Sequence, residues 1–168
     1  RDTMQSHERC SVVEVMGRHA GYLALYVGMA VGATAVLVPE ETFDFEAHVA
    51  EKIRRARLGG KTNFMIVVAE GAASAVEVGR QIQEELGLDP RVTILGHIQR
   101  GGSPTAKDRV MATRMGYEAV HLLAAGKTNR VVCARGDSIV DVDINEGLAM
   151  HKTLNSEEYE VMEAMTGI

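Results

Sequence analysis

The stretch Arg91-Val92-Thr93-Ile94-Leu95-Gly96-His97-Ile98-Gln99-Arg100-Gly101-Gly102 joins a β-branched run to a glycine-bounded cluster of polar groups. Its first residues predict a strand. The next ones place an imidazole and a guanidinium where that strand ends, with glycines that let backbone approach a ligand closely. Ser103-Pro104 then predicts a helix start, serine as N-cap and proline in the first helical position, for a helix that stops at Gly126. The same pattern of strand and polar turn occurs twice more. Cys10 to Val15 runs into Met16-Gly17-Arg18, and Phe64 to Ala69 runs into Glu70-Gly71.

Helical spacing covers Gly21 to Val31, Phe45 to Leu58 and Ala75 to Leu86. Asp44 stands as N-cap of the second, with Val49, Ile53 and Ala56 inward and a run of charges outward. Thr34 to Val38 predicts a short strand halted by Pro39. Val131 to Ala134 and Ile139 to Val142 predict strands; Glu146 to Met150 and Glu157 to Met165 predict helices. Continuous apolar strands alternating with helices specify an α/β fold, a three-layer α-β-α sandwich around a mainly parallel sheet. One domain is expected over 1–168, with 135–168 a C-terminal extension whose packing the pattern leaves open.

Composition narrows the function. A net charge of −5 argues against broad nucleic-acid binding. Hydrophobic content of 46% with 24% charged residues is globular. No apolar stretch reaches bilayer length, so no membrane is expected and the cytoplasm is. Cys10 and Cys133, in apolar strand-like segments, read as reduced thiols. His19 with Cys10 makes a poor metal site, because no second ligand pair stands at usable spacing. The chain opens at Arg1 without methionine and contains no G-x-G-x-x-G or Walker loop. A piece of something longer is therefore expected, with any nucleotide chemistry drawing on residues elsewhere.

In a sheet of this kind ligands bind beyond the carboxyl ends of the strands, and all three polar turns occupy that position. Arg100 and Arg91 suit phosphate oxygens through a planar fork. A helix opening near Ser103 would add backbone N–H donors. His97 can donate to a phosphate or hydroxyl, and Gly71 leaves room beside Glu70. Glu70 either accepts from sugar hydroxyls or caps the helix after it. Arg18 is placed to meet charge on a transferred phosphoryl group. The combination points to a sugar-phosphate site in a phosphotransferase. Each part also has a plainer role: His97 structural, Arg91 a surface charge, Met16, Met111 and Met115 packing, and Glu51 to Arg57 a solvated helix face.

Arg91-x4-Gly96-His97-x-Gln99-Arg100-Gly101-Gly102-x5-Asp108-Arg109 resembles the signature of the 6-phosphofructokinases. Ser11 to Arg18 and Val68 to Gly71 resemble two more motifs of that family, in the same order. The resemblance covers essentially the whole chain and corresponds to the C-terminal domain of the phosphofructokinase fold, roughly half the usual polypeptide. It implies contact with fructose 6-phosphate by Met16, Gly17, Arg18, Glu70, His97, Ile98, Gln99 and Arg100, with Arg18 also near the transferring phosphoryl. It further implies that Arg9 and Arg91 reach the sugar phosphate of a neighbouring subunit, in a homotetramer. ATP, Mg2+ and the catalytic aspartate would belong to the N-terminal half, leaving this half without cofactor or turnover of its own. Arg1, Gly32 and Lys61 match effector-contacting positions, whereas Thr34 and Gly59 depart from the family pattern for control by ADP or phosphoenolpyruvate. A pyrophosphate-dependent phosphofructokinase shares the sugar site and is the near alternative. A non-catalytic sugar-phosphate-binding regulatory module is the distant one, and a dinucleotide oxidoreductase is disfavoured by the absent glycine fingerprint.

Overall fold

The computed structural model describes residues 9–151 and 153–166. They form two compact units, one of residues 9–101 with 154–166 and a second of Gly102–Thr153. The first unit is built on a four-stranded sheet in the order β2-β3-β1-β4. Its strands are β1 (Cys10–Val15), β2 (Ala35–Leu37), β3 (Phe64–Ala69) and β4 (Pro90–Ile94). Every neighbouring pair is parallel, with Val15 opposite Ala69 and Glu14 opposite Ile94.

Parallel strands need covering on both faces, and period-2 alternation supplies two apolar faces here. Val12, Ile66 and Val68 pack with Val49, Ile53 and Ala56 and with Ala75, Val78 and Ile82. These residues belong to a π-helical turn (Glu46–Ala50) running into α2 (Glu51–Leu58), and to α3 (Ala75–Leu86). Val15, Val67 and Ala69 face the other way, toward Ala24 and Leu25 of α1 (Tyr22–Val31) and Met162 of α6 (Ser156–Thr166). Helix, sheet and helix thus make the three expected layers. Asp44 caps the π-helical turn, accepting from Ala47 N–H at 2.7 Å. The charges outward on α2 form exposed ion pairs, Arg54 with Glu46 and Arg55 with Glu51.

The second unit holds α4 (Ala106–Ala124), an antiparallel pair β5 (Arg130–Arg135) and β6 (Ser138–Asp143), and α5 (Ile144–Ala149). Here the expected helix start needs correction. The N-cap is Thr105, not Ser103, because Thr105 and Asp108 form a reciprocal capping box: Thr105 Oγ1 accepts from Asp108 N–H, and the Asp108 carboxylate from Thr105 N–H. Pro104 consequently precedes the helix, and the first-turn amides meet their own side chains. The strands are also slightly longer than their apolar cores, as polar Arg130, Arg135, Ser138 and Asp143 join the ladder. Cys10 is buried on β1 and Cys133 half-buried on β5; both are free thiols, and burial pushes Cys10 up to about 12. Among the described residues no helix is long and apolar enough to cross a membrane.

Helix α6 is held by one deeply buried side chain, Met162, and by the Lys52–Glu163 ion pair. Truncation by Met162→Ala is expected to cost about 2–5 kcal/mol, as for other buried methionines, measurable as a lowered urea midpoint at unchanged slope.

Candidate functional site

β1 lies between β3 and β4, so the three polar turns leave the sheet side by side. The backbone ladders continue past the strand ends. Glu70 N–H donates to the Val15 carbonyl at 3.0 Å, and Leu95 N–H to that of Glu14 at 3.2 Å. After β1 the chain enters α1 on one face, whereas after β3 it enters α3 on the other. Connections diverging from adjacent strands open a crevice at their carboxyl ends, the general ligand position in open α/β sheets.

Glu70 organises this crevice. Its Oε1 accepts from Arg18 N–H at 2.7 Å and Gly17 N–H at 3.2 Å, while Ala20 N–H closes the turn onto the Gly17 carbonyl at 3.0 Å. Successive amides aimed at one oxygen form a concave anion-binding arrangement, and Glu70 fills it. Arg18 sits at φ 53°, a left-handed conformation that costs a non-glycine residue about 1–2 kcal/mol. Gly71 permits the close approach: a Cβ there would stand 1.9 Å from the Arg18 carbonyl oxygen. The Arg18 and Gly17 amides hold the Glu70 carboxyl below the usual carboxylate range. Partial desolvation opposes them, and the Arg100 and Arg18 charges help.

The β4 turn (Gly96–Arg100) is 3-10 helical, with His97, Ile98, Gln99 and Arg100 all exposed. It reaches back to β1 through Gln99, whose Oε1 accepts from Met16 N–H at 2.8 Å. Met16, Gly17, Arg18, Glu70, Gln99 and Arg100 therefore meet at one edge, with His97 and Ile98 on the same turn. Arg9 and Arg91 stand at the other edge. The Arg9 carbonyl accepts from Phe64 N–H where the strands begin, and Arg91 is level with Ser11 and pairs with Asp89 at 3.5 Å. Strand rise alone separates Arg91 from Leu95 by roughly 13 Å.

Gly32, the C-cap of α1, and exposed Lys61 also lie where strands begin; Arg1 is outside the described residues. Thr34 is buried, its hydroxyl accepting from Met65 N–H and its N–H donating to the Met65 carbonyl. Gly59 is the C-cap of α2. No group of three or more His, Cys, Asp or Glu side chains capable of holding a metal occurs among the described residues.

One participant escapes sequence reasoning. Glu14 of β1 directs Oε2 to the first amide of α3, Ala75 N–H, at 3.0 Å, and Ser74 accepts from Glu77 N–H. The only hint is a carboxylate inside an otherwise apolar run, Ser11-Val12-Val13-Glu14-Val15. With α3 capped in this way, Glu70 is not its cap.

Residues 1–123 match the sequence profile of the family described as Phosphofructokinase. The chain belongs to the phosphofructokinase family. It is 49% identical over 166 residues to the ATP-dependent 6-phosphofructokinase of Bacillus thuringiensis (strain Al Hakam), covering 99% of this chain and 52% of that one. The chain thus spans about half the length of the curated relatives it matches. Among solved structures it resembles the Saccharomyces cerevisiae phosphofructokinase, with a TM-score of 0.82 and 33% identity over 98% of this chain and 22% of that chain. The pyrophosphate-dependent phosphofructokinase of Nitrosospira multiformis shares the fold at 23% identity and a TM-score of 0.76, covering 86% and 42% of the two chains.

Two outcomes are expected at the Glu70 turn of this phosphofructokinase-family chain. Gly71→Ala must move the Arg18 turn, since backbone cannot yield as a flexible side chain does; overpacking of this kind costs about 1–3 kcal/mol. Thermal denaturation should show the loss, with amide shifts concentrated at residues 16–20. Second, the Glu70 carboxyl carbon should titrate by NMR with a midpoint below the ~4.3 of an ordinary glutamate. Since its folded pKa is depressed, its contribution to stability is present above the unfolded value and disappears as pH falls through the lowered one. A midpoint at or above ~4.3 would detach the carboxylate from the Arg18 turn.

Proposed function

We propose that the crevice beyond β3, β1 and β4 binds fructose 6-phosphate, and that the chain supplies the sugar-phosphate half of an ATP-dependent 6-phosphofructokinase. The γ-phosphoryl of ATP would pass to the sugar 1-hydroxyl, giving fructose 1,6-bisphosphate in cytoplasmic glycolysis. The carrying observation is the meeting of the turns after β1, β3 and β4 at one edge of the sheet, where Glu70 accepts from the Gly17 and Arg18 amides and Gln99 from that of Met16. The family match and the names of its relatives support this substrate class.

The roles follow from chemistry. Arg100 and His97 grip the phosphate, one as a charged fork and one as a ring donor. Glu70 keeps a second oxygen for sugar hydroxyls, while Met16 and Gly17 form the wall beside them. Arg18 meets the charge that develops on the transferring phosphoryl. ATP and its magnesium are assigned to residues outside this chain; magnesium would neutralise phosphate charge there, and no step here is routed through it. Arg9 and Arg91, at the far edge, serve a neighbouring subunit's site in a homotetramer, because one chain cannot bring them to its own His97.

Arg100→Ala in the 6-phosphofructokinase polypeptide containing these residues is expected to raise the KM for fructose 6-phosphate about 10- to 100-fold, the usual loss for a charged hydrogen bond. Steady-state kinetics with fructose 6-phosphate as the varied substrate reads this directly, and an unchanged KM removes Arg100 from the site.

A further inference from the structure

We propose that Gln99 is a positioning residue: its amide oxygen holds the Met16 N–H and so sets the Arg18 turn against the turn that carries His97 and Arg100. This deepens the sugar-phosphate function proposed above and rests on it. The resemblance places Gln99 beside the substrate, yet the geometry gives its oxygen another task. A backbone N–H can only donate, so the 2.8 Å bond from Met16 determines which end of the amide faces β1. The NH2 group then points away from that turn.

The turn needs such an anchor. Its backbone bonds Ile98 N–H to the Leu95 carbonyl and Gly101 N–H to the Ile98 carbonyl stay within the segment. It opens on Gly96 at φ 52°, where a Cβ would meet nothing within 4 Å; Leu95, packed on the core and bonded to the Glu14 carbonyl, fixes its start, and the Gln99 bond ties its far end. The bond from Met16 spans 83 residues of sequence and links the turn after β4 to the turn after β1. Together with the Glu70 bonds to Gly17 and Arg18, it engages three consecutive amides, at 16, 17 and 18, with side chains from the turns that follow the two flanking strands. The cation that meets the transferring phosphoryl and the pair that grip the sugar phosphate are thereby held in one frame. Small displacements in such a frame can cost on the order of 100-fold in rate.

The test compares Gln99→Met, which keeps side-chain length and removes the acceptor, with Gln99→Glu, which keeps an oxygen at the same place. In this chain, amide exchange at Met16 should speed up about 10-fold or more in Gln99→Met and stay near the parent rate in Gln99→Glu. In the 6-phosphofructokinase containing the chain, Gln99→Met should lower kcat about 10-fold while the KM for fructose 6-phosphate moves less than about threefold. Gln99→Glu should recover most of kcat at a raised KM, because its charge repels the phosphate. Unchanged Met16 exchange in Gln99→Met overturns the proposal. So does a raised KM at unchanged kcat, which marks direct substrate contact, and so does faster exchange with both constants unmoved. A parent protein that fails to bind fructose 6-phosphate sinks the functional assignment and the positioning role with it, while the exchange measurement still decides whether the Gln99–Met16 bond exists.

Discussion

One carboxylate oxygen holds this edge of the molecule together. Glu70 Oε1 draws in the Gly17 and Arg18 amides, which fixes a left-handed residue that would otherwise relax and brings the end of β3 against the end of β1. Gly71 is the steric condition for that contact, since any side chain there would strike the Arg18 carbonyl. The Arg100 and Arg18 charges also help hold the Glu70 carboxyl below the usual carboxylate range. Exposed Arg18 and Arg100 stand on turns at this one edge in a chain whose net charge is −5, which is how an acidic protein can still present an edge attractive to an anion.

Topology decides that this happens at one place. The strand order β2-β3-β1-β4 puts β1 between the two strands whose turns it meets. The α1 and α3 connections depart to opposite faces, the arrangement that places ligands at the carboxyl ends of strands in open α/β sheets. Parallel direction does the rest: all polar turns that follow strands fall on the carboxyl edge, and Arg9 and Arg91, which sit near strand starts, fall on the other. An antiparallel sheet with the same residues would scatter them.

Much of this is legible in the residues, and the exceptions have physical causes. β1, β3 and α3 match the bounds implied by apolar runs and helical spacing, because burial leaves a continuous signal. The π-helical opening before α2 is not legible, as it has the same apolar spacing as an α-turn. The start of α4 departs from expectation because Ser103-Pro104 and Thr105-x-x-Asp108 are both cap signatures, and the reciprocal pair prevails over the single one. Within the site, residue types locate Arg18, Glu70, His97 and Arg100. They do not reveal what Glu70 and Gln99 bind, because a side chain's partner across 53 or 83 residues depends on register, which no local pattern carries.

The partition of acidic groups between amides governs how an anion is held here. Glu14 shares a sheet face with Val12, the face that α3 covers, so pleating alone delivers its carboxylate to the α3 N-terminus. Ser74 satisfies a second amide of that helix start, and in the other unit α4 is satisfied by Thr105 and Asp108. The starts of α3 and α4 are thus closed by side chains, unlike the uncapped ends that commonly bind phosphate, whereas α1 opens on Gly21, whose N–H meets Glu40, with no side-chain cap of its own. The amides of the Arg18 turn are likewise engaged, by Glu70 and Gln99. The amides of Met16, Gly17 and Arg18 are therefore committed to the fold itself, and charge recognition at these turns falls to side chains: the guanidiniums of Arg18 and Arg100 and the ring of His97. That division separates rigidity from affinity. Carboxylate and amide oxygens hold the frame, and the cations mounted on it remain exposed to bind.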